Sequence, residues 1–273
     1  MILLIDAQNC FHRARTGFKL GPAPIVFNFF RQFSALVKKF KPERVIFALE
    51  GRPEHRKILD PGYKANRVIP EGDPREAEMR KFFEQVDVIK RLLVNFPVTL
   101  MRHATSEADD VIANIVKNSA SNTDFTIVSS DSDFIQLLDD HENVRLYNPV
   151  KDIFVEKTPY NYALWKSLCG DPTDCIIGLP GVGPKTAEKL ASDPTLLEAY
   201  WERHPDHIDI FELSSQLIKF KIWSEEDLRE VETSFSKRDW QVVRDVFQNY
   251  KFNSLTEDTK WEKFKETFDY LWE

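Results

Sequence analysis

The chain has 273 residues, 42% hydrophobic and 30% charged, with a formal net charge of −7. That is enough apolar material for one large core or two small ones, and no apolar run approaches the roughly 18 residues a membrane helix needs. An acidic sum argues against a nucleic-acid binder only where the charge is spread evenly. Nine acids, assigned below to one site, carry more than the whole excess and leave the remaining surface mildly basic.

The opening MILLIDAQN is too short in its apolar stretch for a secretory signal and has no basic segment before it. Strand 1 is therefore expected at residues 2–5, ending at Asp6. The three cysteines, Cys10, Cys169 and Cys175, form no CxxC pair. They point to a reducing cytoplasm, against a disulfide framework and against a zinc site. Residues 24–40 carry apolar positions at helical spacing, with Pro24 in the first turn and Lys38 and Lys39 in the last. Residues 44–49 form a second buried strand ending at Glu50, which makes a parallel βαβ unit. Residues 51–75, rich in Pro, Gly and charge, read as a loop. The spacing predicts a long helix over 75–96, a strand over 98–101, a helix over 107–117 and a strand over 125–130. Residues 144–147 and 153–155 read as a short strand and its hairpin partner. From about residue 159 the chain reads as helical without a clear strand, so a soft boundary is placed near 158.

Asp6, Glu50 and Asp131 each follow an apolar strand, and Asp133 stands two residues further on. Parallel strands put such residues at one sheet edge, where open α/β sheets bind ligands. Oxygen donors of this kind suit Mg²⁺ or Mn²⁺. The plainer reading of each acid is a turn former or helix cap. Ser106-Glu107-Ala108-Asp109-Asp110 opens a helix, with Ser106 as N-cap and Asp109 completing a capping box. Glu107 and Asp110 share a face, about 60° apart. Gly170-Asp171-Pro172-Thr173-Asp174 adds two acids in a turn signal. So many carboxylates repel one another unless cations intervene. Two divalent ions about 3.5–4 Å apart resolve that and serve phosphoryl displacement.

Arg52, Arg56, Lys57, Lys64 and Arg67 outnumber Glu54 and Asp60 in one loop. A cationic loop beside the acids could hold phosphates, with Tyr63 to stack on a splayed base; the plainer reading is a solvated loop. Leu179-Pro180-Gly181-Val182-Gly183-Pro184-Lys185-Thr186-Ala187 reads as a helix-hairpin-helix turn, whose amides bind phosphate without reading sequence.

The stretches DAQNCFHRA, YKANR, EADDVIA, SSDSDFIQLL, GDPTD and GLPGVGPKTA, in this order, resemble the 5′→3′ exonuclease and flap endonuclease family. The resemblance is to its single-chain bacteriophage members and to the 5′-nuclease domain of bacterial DNA polymerase I, over residues 2 to about 190. It implies an α/β fold: a mostly parallel twisted sheet flanked by helices (PIN-like), with a C-terminal helical region of helix-hairpin-helix type. Residues 1–158 would be the nuclease core, including a helical arch over 68–92, and 159–273 the DNA-binding region. The resemblance implies a first metal cluster of Asp6, Glu50, Glu107, Asp109, Asp110 and Asp131. Asp133, Asp171 and Asp174 would complete a second. Lys64, Arg67 and Arg13 would contact phosphate. Gly181, Val182, Gly183, Lys185 and Thr186 would grip duplex DNA through K⁺. Glu50 departs from the family's usual Asp, and Ala7 from its usual Gly.

The expected activity is Mg²⁺-dependent hydrolysis at 5′ ends and 5′ flaps of DNA, or of RNA primers, in replication or repair. The expected setting is a bacterial or phage-infected cytoplasm. The expected partners are DNA, RNA–DNA hybrids, a single-strand binding protein or a polymerase; the chain is expected to be a monomer away from membranes. Two other readings stay open: a single-strand ribonuclease of the related fold, and a DNA-binding protein without chemistry.

Overall fold

The structure, a computed structural model, describes residues 1–19 and 21–272. Its strands are β1 (Ile2–Asp6), β2 (Arg44–Leu49), β3 (Thr99–His103), β4 (Phe125–Val128), β5 (Val144–Asn148), β6 (Ile153–Val155), β7 (Gly170–Asp171), β8 (Ile176–Ile177) and β9 (Val231–Ser234). The helices in the first part of the chain are α1 (Ala7–Ala14), α2 (Pro24–Phe40), α3 (Glu54–Leu59), α4 (Arg75–Leu93), α5 (Ala108–Lys117), α6 (Ile135–Asp140) and α7 (Tyr162–Cys169). Then come α8 (Pro184–Ser192), α9 (Pro194–Arg203), α10 (Ile208–Ile218), α11 (Glu225–Arg229), α12 (Trp240–Asn249), α13 (Asn253–Thr256) and α14 (Asp258–Asp269). None of the described helices is long and apolar enough to cross a membrane.

The main sheet has the order β6-β5-β4-β1-β2-β3-β9. Its five central strands run parallel, and β6 and β9 are antiparallel edges. Strands read as continuous apolar runs because both faces are covered. Leu3 and Ile5 point into one layer with α1, α2 and α4, while Leu4 points into the other with α5 and α6. The first layer is built largely of phenylalanine: Phe29, Phe30, Phe33, Phe47, Phe82 and Phe96 are buried in it.

Helix α2 forms over the predicted span, with Pro24 in its first turn and Lys41 in the left-handed conformation closing it. Two expectations need correction. The loop expected over 51–75 contains α3 and a short 3₁₀ turn at Ala65–Arg67. The long helix expected over 75–96 forms as α4, and Phe82, Val86, Ile89 and Leu92 of its apolar stripe are core residues. The chain beyond 159 is not strand-free. β7 and β8 form a two-residue ladder, and β9 pairs with β3 at the sheet edge. Strand β9 reads Val-Glu-Thr-Ser and is largely exposed, so it has no apolar pattern to announce it. After it, Val243, Phe247, Trp261, Phe264 and Phe268 pack into the phenylalanine layer of the first half. Residues 231–272 thus return to the part of the molecule that the composition boundary near 158 had separated from them.

Candidate metal centre

Strand β1 sits centrally, with β2 and β3 on one side and β4 and β5 on the other, so the chain reverses its lateral direction between β1 and β4. The crevice at the carboxyl ends of such neighbours is where an open sheet has room for a ligand. Register puts Asp6 there: Ile5 lies opposite Phe47 on β2 and Val128 on β4, so Asp6 emerges level with Ala48 and just beyond β4. The same edge receives Glu50 from the end of β2 and Asp131 from the end of β4.

Short polar side chains stitch this edge. Ser129 donates to Asp6 Oδ2 at 2.8 Å and accepts from the Asp131 amide at 3.0 Å. Asp6 Oδ1 accepts from the Asn9 amide at 3.0 Å, capping α1. Asn9 and Ser130 exchange two hydrogen bonds, 2.7 and 3.1 Å, between α1 and the loop after β4. Glu50 Oε2 accepts from the Ala108 amide at 3.1 Å, which ties the end of β2 to the start of α5. Asp131 Oδ1 accepts from the Asp133 amide at 2.9 Å.

The acids crowd one another. Burial pushes the Asp109 carboxyl well above its ordinary value, and the neighbouring charges of Asp6, Asp131, Glu50 and Glu107 push the same way. Burial raises Asp6 to about 6, helped by Asp131 and opposed by its Asn9 and Ser129 hydrogen bonds. Glu50 rises to about 7 through burial and the Glu107 charge. Asp133 rises to about 6 through burial and Asp131, against the pull of Lys166. Carboxyls buried and crowded in this way repel one another unless positive charge stands between them.

The protein's own cations fill part of that role. Lys64 bonds Glu107 and lies 3.5 Å from Asp174 Oδ2, and Arg67 bonds Asp174. Lys166 on α7 bonds Asp133 and, at 2.7 Å, Asp171. Burial disfavours the Lys166 charge, but the two carboxylates outweigh it and hold the ammonium above its usual range. Burial likewise works to raise Asp171, yet Lys166 and Thr173 hold its carboxyl below the usual value. Ligand atoms of Asp133, Asp171 and Asp174 lie within 4.8 Å of one another. Two of these three come from the β7–β8 turn. Gly170 there has φ +75°, and a Cβ on it would meet the Gly178 amide at 2.3 Å.

Asp110 is not among the converging acids. Its Oδ2 accepts from Arg56 Nη1 at 2.8 Å and the Glu107 amide at 3.3 Å. Its Oδ1 accepts from Arg56 Nη2 at 2.9 Å and the Lys221 amide at 2.8 Å. Both oxygens are occupied by the protein, and Asp110 points toward the end of α10. The capping expectation also shifts by one residue: Glu107 is the N-cap of α5 and Asp110 its third residue. Ser106 instead accepts from the Trp223 indole at 3.1 Å.

Arg56 and Tyr63 also need correction. Arg56, read as part of a cationic mouth, is 3% exposed and bonds Glu107, Asp110 and the Leu217 carbonyl. Tyr63, read as a stacking residue, is 3% exposed and donates to Glu107 at 2.9 Å, so it has no open face for a base. Arg13 spends Nη1 on the Pro149 carbonyl at 3.2 Å, while its Nε is buried without a partner. In the 178–187 turn, Gly181, Gly183, Lys185 and Thr186 are exposed, Gly181 with φ +75°. Val182 and Ala187 are buried with Leu168, Leu179 and Tyr200 beneath the turn, so the Val182 side chain anchors the turn and only its backbone faces outward.

Sequence reasoning passed over Ser129, Arg56 as an ion-pair hub, and Lys166. Lys166 had a signal: a lone cation in the otherwise apolar Tyr-Ala-Leu-Trp-Lys-Ser-Leu helix is out of place unless it has acidic partners.

Comparison with known proteins supplies the family. Residues 1–163 match the 5′-3′ exonuclease N-terminal resolvase-like domain. A Synechocystis DNA polymerase I is 27% identical over 232 residues, 74% of this chain and 23% of that protein. A Streptomyces coelicolor 5′-3′ exonuclease is 35% identical over 176 residues, 58% of each. The chain therefore spans about a quarter of the polymerase and just over half of the exonuclease. Among solved structures, bacteriophage T5 D15 protein, crystallised with metal ions, superimposes with a TM-score of 0.68 over 99% of both chains at 16% identity, which shows a shared fold. With the family's domain matched over more than half of the chain, the chain belongs to the 5′-3′ exonuclease family.

Proposed function

We propose that the chain is a structure-specific 5′ nuclease that hydrolyses phosphodiester bonds at or near 5′ ends and 5′ flaps of DNA, with RNA primers as a variant of the 5′ strand. The observation that carries this is the crowding of Asp6, Glu50, Asp109 and Asp133, each raised by burial or by its neighbours, at the switch point of the sheet. Carboxylates held this way fit divalent cations, Mg²⁺ or Mn²⁺, better than they fit each other. Asp6, Glu50, Asp109 and Asp131 would hold one ion, with Glu107 beside them, and Asp133, Asp171 and Asp174 a second. Bound there, such ions supply an acidified water and charge neutralisation at phosphate.

The chain's own residues do the rest. Ser129 and the Asn9 amide fix the Asp6 oxygens, and the Ala108 amide fixes Glu50. Lys64 and Arg67, paired with Glu107 and Asp174, would exchange those carboxylates for the phosphate. Fixed cations aimed where negative charge grows lower the barrier most. Exposed Lys185 and Thr186, with the amides of Gly181 to Gly183, would take the duplex backbone without reading bases, with K⁺ as the expected ion.

A labelled 5′-flap duplex, incubated with Mg²⁺ or with EDTA, tests the reading. The wild-type chain should release the flap with Mg²⁺ alone, leaving a 5′-phosphate. Asp131→Asn should bind the duplex and fail to cut it; near-normal cutting by this variant would remove Asp131 from the centre.

A further inference from the structure

We propose that His204, Asp206 and His207 form a second metal site, specific for a divalent transition ion such as Zn²⁺ and separate from the carboxylate centre. His204 follows α9, Pro205–His207 is a 3₁₀ turn, and α10 begins directly after it. This sharp turn folds the three side chains onto one spot. Their ligand atoms lie within 4.8 Å of one another. The two imidazole centroids lie 5.0 Å apart. Asp206 Oδ2 lies 3.9 Å from His207 Nε2, beyond hydrogen-bond distance and within the reach of a shared ion.

The second observation is the support behind His207. That ring is 9% exposed, and its Nδ1 lies 2.7 Å from the Tyr200 hydroxyl. The tautomer that donates Nδ1–H to the tyrosine oxygen leaves an unprotonated Nε2 3.9 Å from Asp206 Oδ2. Metal-ligating histidines are held in this way, by a hydrogen bond on the opposite nitrogen. Two imidazoles and one carboxylate match Zn²⁺, Co²⁺ or Ni²⁺ with a position left for water, whereas Mg²⁺ prefers the all-oxygen edge described above. Tyr200 also packs with Val182, Ala187 and Leu190 beneath the exposed turn. An ion here would therefore clip α9 to α10 behind the surface proposed to hold duplex DNA.

The test is Zn²⁺ titration of the 273-residue chain, labelled with ¹⁵N in its six histidines and kept in excess Mg²⁺, with the imidazole resonances read by NMR. Two of the six rings should shift, saturating at one equivalent, and Asp131→Asn should leave that response intact. Asp206→Asn, a change at an exposed side chain, should weaken it at least about tenfold. The proposal is overturned if no imidazole moves, if rings other than His204 and His207 move, or if Asp206→Asn responds like the wild type.

Discussion

Ser129 shows how much of the centre rests on small residues. Its hydroxyl donates to Asp6 and accepts from the Asp131 amide, so one atom sets the spacing of two candidate ligands. Ser129→Ala should raise the Mg²⁺ concentration at half-maximal cleavage rate about ten- to hundredfold with the fold unchanged. Arg56 is the opposite case, a buried charge whose role is to neutralise. Replacing it with Leu strands Asp110 and takes one partner from Glu107, which should cost about 3–5 kcal/mol in urea unfolding. The raised carboxyls set the pH behaviour of the metal-free chain. Asp6, Glu50 and Asp133 ionise more readily unfolded, near 3.8 to 4.5, than folded, near 6 to 7. Their contribution to stability is therefore complete below about pH 4 and is lost as the pH rises through about 6 to 7. Thermal melts in EDTA should fall over that window, Asp109→Asn should flatten the fall, and Mg²⁺ should raise the melting temperature more at pH 7 than at pH 5.

Among the elements, the β7–β8 turn is small and decisive. It carries Asp171 and Asp174 toward Asp133, and it closes because Gly170 and Gly178 pass with no side chain between them. Gly170→Ala places a methyl against the Gly178 backbone and forces a left-handed φ on a residue with a Cβ. It should cost at least about 1–2 kcal/mol and weaken binding of the second ion, read by urea unfolding and by Mg²⁺ titration. The turn before α8 works through the same contrast. Gly181 supplies a positive φ with open space around it, while Val182 and Ala187 anchor the turn from below. Helix α4 divides along its length: its later turns belong to the core, while its first turn is exposed.

At the scale of the whole molecule, α12 and α14 share one hydrophobic core with α2, α4 and the sheet. Phe268 is fully buried against Phe33, Phe96 and Phe264, and Phe247 against Phe30. Phe268→Ala should cost about 3–5 kcal/mol and shift a single unfolding transition, followed by fluorescence and circular dichroism together. Two separate transitions, with only the later one unaffected, would mean that the two halves fold independently.

The sequence by itself determined the central strands, α2, the start of α5 to within a residue and the acids that end strands. Those features are local: apolar runs, helical spacing and an acid next to a strand each leave a pattern in consecutive residues. Only the tertiary structure decided that Asp110 and Arg56 neutralise each other, that Tyr63 is covered, that Lys166 lies between Asp133 and Asp171, and that Val231 to Ser234 closes the sheet. An ionised side chain looks the same in sequence whether its partner is water, a metal or a residue a hundred positions away. The partner is fixed by where the chain returns, and for these residues that return is made by segments far along it.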